Sequence, residues 1–280
     1  MAKTSWWRTF FPARLGVLCL LGGGMVPGAV AAAPLAEDPV RLQQRVAGLF
    51  AGRYASPSCQ VQPNPDGLAP VAGDLRITPD GQIVVGPEHM ALFDPAGAFS
   101  FTLDLQARQL YLEVSTDERL ARLASTDDSF REAGVEIGRG SGQVSQGRRC
   151  GDLDLREARI VAQPEAAGSL FAELYDTGGR TVQGLCHTGR RSGGRDREAR
   201  FSVTSQAVVL NGRALPWQAP GQALRVVSLG SQLADQQVNG GVEWGDGANF
   251  HVERRLGPGA PFVSFSFNED GTEWVCQPRP

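Results

Sequence analysis

LFAGRY at Leu49–Tyr54 returns as LFAELY at Leu170–Tyr175, and a cysteine follows each phrase, Cys59 and Cys186. Two further cysteines, Cys150 and Cys276, lie 91 and 90 positions beyond those. Near-equal intervals are what a duplicated unit with one internal bridge would give, so the spacing predicts the pairs Cys59–Cys150 and Cys186–Cys276. Other landmarks keep a similar offset. ITPDGQIVV at Ile77–Val85 precedes VTSQAVVLN at Val203–Asn211 by 126 residues, and both are β-rich with a turn inside. The tyrosine-to-cysteine interval is six residues longer in the second half, where DTGGRTVQG holds the excess.

The chain begins with a pattern of its own. Lys3, Arg8 and Arg14 stand before the apolar run Leu15–Leu21, and Ala29-Val30-Ala31 follows as a small-x-small cleavage site. That order reads as a secretory signal peptide over residues 1–31, which takes Cys19 with it. The remaining chain is expected to be periplasmic or secreted, with no transmembrane anchor and an even number of cysteines in an oxidising compartment. Removing the three leader cations from 27 basic residues leaves 24 against 30 acidic ones, net −6. Lys3 is the single lysine. A P-loop and a lysine Schiff base are thereby excluded, and mild acidity argues against nucleic-acid binding.

Periodicity supplies the elements. Glu37–Tyr54 carries Leu42, Val46, Leu49 and Phe50 on one helical face, with Pro39 near its start and Ser56-Pro57 beyond its end as punctuation. Pro164–Tyr175 reads as its shorter counterpart, and Asp117–Ser125, with Leu120 and Leu123, as a further helix. Phe99–Leu105 and Gln109–Ser115 alternate apolar and polar residues as half-buried strands do. Asp80-Gly81, Asn211-Gly212 and Asp270-Gly271 mark tight hairpins, where both types tolerate positive φ. Ala158–Ala167 reads as a linker. No βαβ alternation occurs, so the sheets should be antiparallel. The expected fold is mainly β: two tandem repeated antiparallel β-barrel or β-sandwich modules, residues 37–157 and 164–280. Each is preceded by a short helix and stapled by one disulfide.

Chemistry is harder to find. His89, His187 and His251 have no second ligand at metal spacing, and HExxH, CxxC and GxSxG are absent. Neither a metal nor a cofactor is expected. GRGSGQ at Gly138–Gln143 lacks the helix and lysine of a phosphate loop, and NEDGTE at Asn268–Glu273 is too short for an EF-hand. Asp127-Asp128 and Glu113/Asp117 are the candidate paired carboxylates.

The distinctive stretch is HTGRRSGGRDRE, His187–Glu198, with Arg190, Arg191, Arg195 and Arg197. Its counterpart after Cys59, QVQPNPDGLAPVA, has no arginine. Guanidinium forks suit carboxylates and phosphates, so an acidic protein or envelope ligand is the expected partner. Trp217, Trp244 and Trp274 all fall in the second half.

The second half, with Cys186, Asn211-Gly212, the WGDG stretch Trp244–Gly247 and Cys276 in order, is similar in layout to bacterial lysozyme inhibitors of the membrane-bound C-type class. It departs from them in lacking their SGxKY-like stretch, and no residue role carries over. The leading expectation is an exported, non-enzymatic binding module. The alternatives are a lysozyme-type hydrolase inhibitor and an envelope hydrolase using two facing acids about 5–10 Å apart.

Overall fold

The computed structural model describes residues 35–279 apart from 95, 189–195, 219–222, 233 and 234. The leader expected at 1–31 lies outside them. Residues from 33 onward form one compact unit, and no helix among the described residues is long and apolar enough to cross a membrane.

One longer helix stands at the start of each half. Helix α1 (Pro39–Phe50) begins where Asp38 accepts the Arg41 N–H at 3.0 Å and Pro39 fills the first turn. Its buried stripe is Leu42, Val46, Leu49 and Phe50, the face that the sequence predicts. Helix α2 (Arg159–Ala162) is a single turn, and α3 (Glu165–Tyr175) buries Leu170, Phe171, Leu174 and Tyr175. The stretch read as a linker is therefore folded, with Ala158, Ile160 and Ala167 inside the core. An apolar stretch that small packs between helices instead of spanning them.

Nine strands follow α1: β1 (Gly52–Gln62), β2 (Val71–Ile77), β3 (Gln82–Val85), β4 (Glu88–Ala91), β5 (Ala98–Asp104), β6 (Gln109–Ser115), β7 (Arg119–Ser125), β8 (Ala133–Arg139) and β9 (Gln146–Leu153). Nine follow α3: β10 (Val182–Thr188), β11 (Asp196–Val203), β12 (Ala207–Leu210), β13 (Arg213–Pro216), β14 (Leu224–Gln232), β15 (Gln237–Trp244), β16 (Asn249–Arg255), β17 (Phe262–Glu269) and β18 (Thr272–Pro278). In the first half β4 pairs with β3, β3 with β2, β2 with β1, β1 with β9, and β9 with β8, β7, β6 and β5 in turn. The second half repeats this order strand for strand from β13 to β14. The halves then join, because β5 pairs antiparallel with β14 from Ala98↔Gln232 to Asp104↔Val226. One large antiparallel sheet, not closed, thus runs through both halves, with β4 and β13 at its ends.

Each half curls on itself. Arg119 of β7 reaches Glu88 of β4 at 3.0 Å, and Trp244 at the end of β15 donates its indole N–H to Pro216 of β13 at 2.9 Å. Both disulfides are present. Cys59 lies directly opposite Cys150 across β1 and β9, as Cys186 lies opposite Cys276 across β10 and β18. Each closes a loop of about 90 residues, which is worth roughly 3–5 kcal/mol in the chain-entropy account.

Three local readings change. Asp117–Ser125 is strand β7, not a helix. Leu120 and Leu123 fit a helical step, but β7 is paired on both sides, and Leu120, Ala121 and Leu123 are all buried in it. The helix expected to reach Tyr54 stops at Phe50. Tyr54 already belongs to β1 and donates its hydroxyl back to the Phe50 carbonyl at 2.7 Å. The two LFAxxY phrases consequently occupy different elements, since LFAELY is wholly helical. What matches at the helix ends is Leu49-Phe50 with Leu174-Tyr175. Their C-caps Ala51 (φ −55°, ψ 127°) and Asp176 (φ −50°, ψ 126°) share one conformation. The third change concerns Ser56-Pro57, which does not punctuate a helix. Pro57 sits in the irregularity of β1 between Ser56 and Cys59, where a missing N–H is tolerated.

Candidate functional site

The anticipated arginine loop divides. Arg190, Arg191 and Arg195 lie outside the described residues. Arg197 is in β11, where its guanidinium sits 4.2 Å from the Trp274 ring centroid and 5.0 Å from that of Phe267. Its Nη1 donates to Glu269, while Nε and Nη2 are buried without a hydrogen-bond partner. Arg197 is packed on the inward face of β11, opposite buried Cys186 and in line with buried Ala199 and Phe201. At the root of the same segment His187 and Asp196, cross-strand neighbours, are 2.8 Å apart from Nδ1 to Oδ1.

The tryptophans are structural. Trp217 and Trp244 stack with centroids 6.1 Å apart, and their indole N–H groups donate to Thr204 and Pro216 carbonyls. Asp270 and Gly271, both at positive φ, turn the β17–β18 hairpin, and Asn211-Gly212 turns β12–β13.

The candidate acids do not face one another across a cleft. Asp127 accepts from the Ser129 hydroxyl and the Glu132 N–H in a turn, and the Ser129 bond lowers its pKa. Glu113 is held by Arg122 Nε at 2.9 Å, and the same guanidinium gives Nη1 to Glu136 at 3.0 Å. One guanidinium shared by two carboxylates makes a cross-strand ladder on β6, β7 and β8. Among the described residues no group of three His, Cys, Asp or Glu side chains is placed to hold a metal.

What the sequence reading missed is a cleft in the second half. A cavity of about 600 Å³ is lined by Arg180, Arg254, Arg279, Val182, Phe262 and their neighbours. A second, of about 430 Å³, adjoins it through Gln183 and Arg279 and adds Arg197 and Arg200. Five arginines thus border the two cavities. Two of the carboxylates there are engaged already, Glu269 by Arg197 and Glu198 by Arg279.

Arg254 is the unusual member, only 6% exposed. Its Nη1 donates to the Leu174 carbonyl at 3.1 Å, its Nε to the Ala260 carbonyl at 3.4 Å, and its plane lies 5.0 Å from the Phe262 centroid. Burial pulls its pKa down. The sequence holds one signal of this, the alternation Phe250-x-Val252-x-Arg254, which puts a cation on the inward face of β16. Comparison of the chain with family models, curated proteins and solved structures returns no match.

Proposed function

We propose that the chain is an exported, non-enzymatic binding protein whose second half offers arginines to an acidic partner. The observation that carries this reading is that Arg180, Arg200, Arg254 and Arg279 gather on two adjoining cavities, beside Arg197 of the scaffold and against the carboxylates Glu37, Asp176, Glu198 and Glu269, in a chain of net negative charge. Charge concentrated against the average steers an oppositely charged partner and raises its association rate. Arg190, Arg191 and Arg195, next to β10 and β11 in the chain, extend the same chemistry. The two disulfides fit an oxidising compartment, which is the setting of an exported protein.

We also read the halves, 37–157 and 164–280, as tandem copies of one curled β module. The shared pairing order, the matching helix C-caps and the equivalent placement of the disulfides support that reading. On this view the first copy kept the scaffold and the second acquired the basic cleft.

The test uses immobilised poly-L-glutamate as the acidic probe. Wild type and the triple variant Arg190→Ser/Arg191→Ser/Arg195→Ser are compared across a salt series. The variant should associate several-fold more slowly at low salt, and the gap should close as the Debye length shortens below about 8 Å. Equal association rates at low salt would remove the reading.

A further inference from the structure

We propose that the larger cavity, at the Arg254 end of β16, is a binding site for a small organic monocarboxylate. Arg254 grips the carboxylate and Phe262, Val182 and Pro261 cover the apolar body. The inference rests on the reading of the chain as a binding protein, but not on the arginines of 190–195.

Arg254 is a buried cation without a salt-bridge partner. Guanidinium stays protonated in proteins, and among the described residues no carboxylate oxygen forms an ion pair with it. An ion taken out of water costs several kcal/mol unless something compensates. Part of the compensation is visible. The Leu174 carbonyl belongs to the last turn of α3, the negative end of the helix dipole, and the Phe262 ring offers its π face. These contacts use two of the five N–H donors of the fork. Three remain on a side chain that lines the cavity, and a carboxylate takes two parallel donors in one bidentate contact.

Two carboxylates of the cavity, Glu37 and Asp176, act on Arg254 through space without forming an ion pair with it. Glu37 accepts the Gly259 N–H at 3.2 Å and Asp176 accepts the Gly178 N–H at 2.9 Å. Both are tied to loop backbone, and both place negative charge at the site. A singly charged ligand tolerates that charge better than a phosphate dianion. Arg180 lines the same cavity, exposed, and supplies a second cation to the incoming anion. Val182, Pro261, Phe262 and Pro278 form the apolar wall. A volume of about 600 Å³ suits a small molecule.

The scaffold does not demand the arginine. In the first half the pair Ser125–Ala133 stands where Arg254–Phe262 stands in the second, at the junction of the same two strands. Phe130, Leu153 and Leu155 are buried near that junction, and the Leu155 N–H donates to the Phe130 carbonyl at 2.8 Å. Apolar packing closes that end, whereas a cation opens the other.

The experiment titrates the disulfide-bonded protein with 4-fluorobenzoate, followed by fluorine NMR, with inorganic phosphate as competitor. Wild type should bind saturably, and equimolar phosphate should not displace the probe. Arg254→Met keeps the volume without the charge, and should weaken binding at least tenfold while leaving the melting temperature unchanged or higher. Arg254→Lys, which keeps charge but loses the fork, should also weaken it. Absence of saturable binding by folded wild type would overturn the proposal. So would unchanged affinity in folded Arg254→Met, or displacement by phosphate. If Arg254→Met does not fold, exposed Arg180→Ser decides: a threefold or larger loss supports the site, and no loss overturns it. Failure here with poly-L-glutamate binding intact removes only the carboxylate site. The reverse outcome removes the acidic-partner reading and leaves the carboxylate site.

Discussion

Arg197 of β11 lies over Trp274 of β18, with 4.2 Å between the guanidinium carbon and the ring centroid. The two strands are not neighbours, because β10 runs between them. The contact therefore bridges three strands on the inward face of the sheet, over buried Cys186 of β10, and Glu269 closes it from β17. Of the four arginines marked in the sequence, this one is committed to the scaffold.

Arg197→Ala should accordingly lower stability by about 1–2 kcal/mol, the range of a partly desolvated cation–π contact with an added ion pair. Arg197→Lys should recover less than half, since a lysine cannot stack a planar fork on the indole. Urea denaturation followed by tryptophan fluorescence measures both. A loss below about 0.3 kcal/mol for the alanine variant would return Arg197 to the docking surface.

Tyr54 makes stability depend on pH in the alkaline range. Burial pushes its phenol up to about 12 from 10.0. Ionisation creates the charge, so the unfolded chain loses this proton first as pH rises. The contribution is complete below pH 10 and is lost as pH climbs toward 12, by roughly 2–3 kcal/mol at 1.4 kcal/mol per unit. Tyr54→Phe gives up the hydrogen bond to Phe50 and should cost about 1 kcal/mol at neutral pH. Its stability should then fall less than that of wild type between pH 10 and 11.5. Parallel stability–pH curves for the two proteins would contradict the assignment.

One substitution should act in opposite directions at two glycines. Gly48, inside α1, has open space where a Cβ would stand, and alanine there should add about 0.5–1 kcal/mol through helix propensity. A Cβ on Gly240 of β15 would stand 2.7 Å from Tyr175 and 2.9 Å from Phe171. Both rings are fully buried and cannot swing aside, so Gly240→Ala should cost about 1–3 kcal/mol. Melting curves of the two variants should move apart from wild type. A neutral Gly240→Ala would mean that α3 shifts on the sheet.

The parts of the fold that were legible are those written locally or covalently. Cysteine spacing gave the pairing across β1–β9 and β10–β18, because a directly opposed pair leaves the same interval in each half. Asn211-Gly212 and Asp270-Gly271 announced their hairpins through the backbone angles they tolerate, and the alternation of Phe99–Leu105 and Gln109–Ser115 gave β5 and β6. Short apolar runs carried less. Leu120 and Leu123 fit a helical step as well as a strand, and only pairing with β6 and β8 on both sides decided it. LFAxxY misled by one helical turn, since a repeated phrase fixes neither where a helix stops nor where a strand starts.

The sequence by itself thus determined the leader pattern, the cysteine pairing, the strand-rich class and the basic segment around Arg190, Arg191 and Arg195. Tertiary structure alone decided that β5 and β14 join the halves into one sheet. That seam is made of main-chain hydrogen bonds between residues more than a hundred positions apart, for which side chains provide no code. It also decided the cleft. Arg180, Arg254 and Arg279 are far apart in the chain, and what brings them together is that β10, β16 and β18 reach one cavity. Burial gives Arg254 its meaning, and burial depends on every strand that surrounds it.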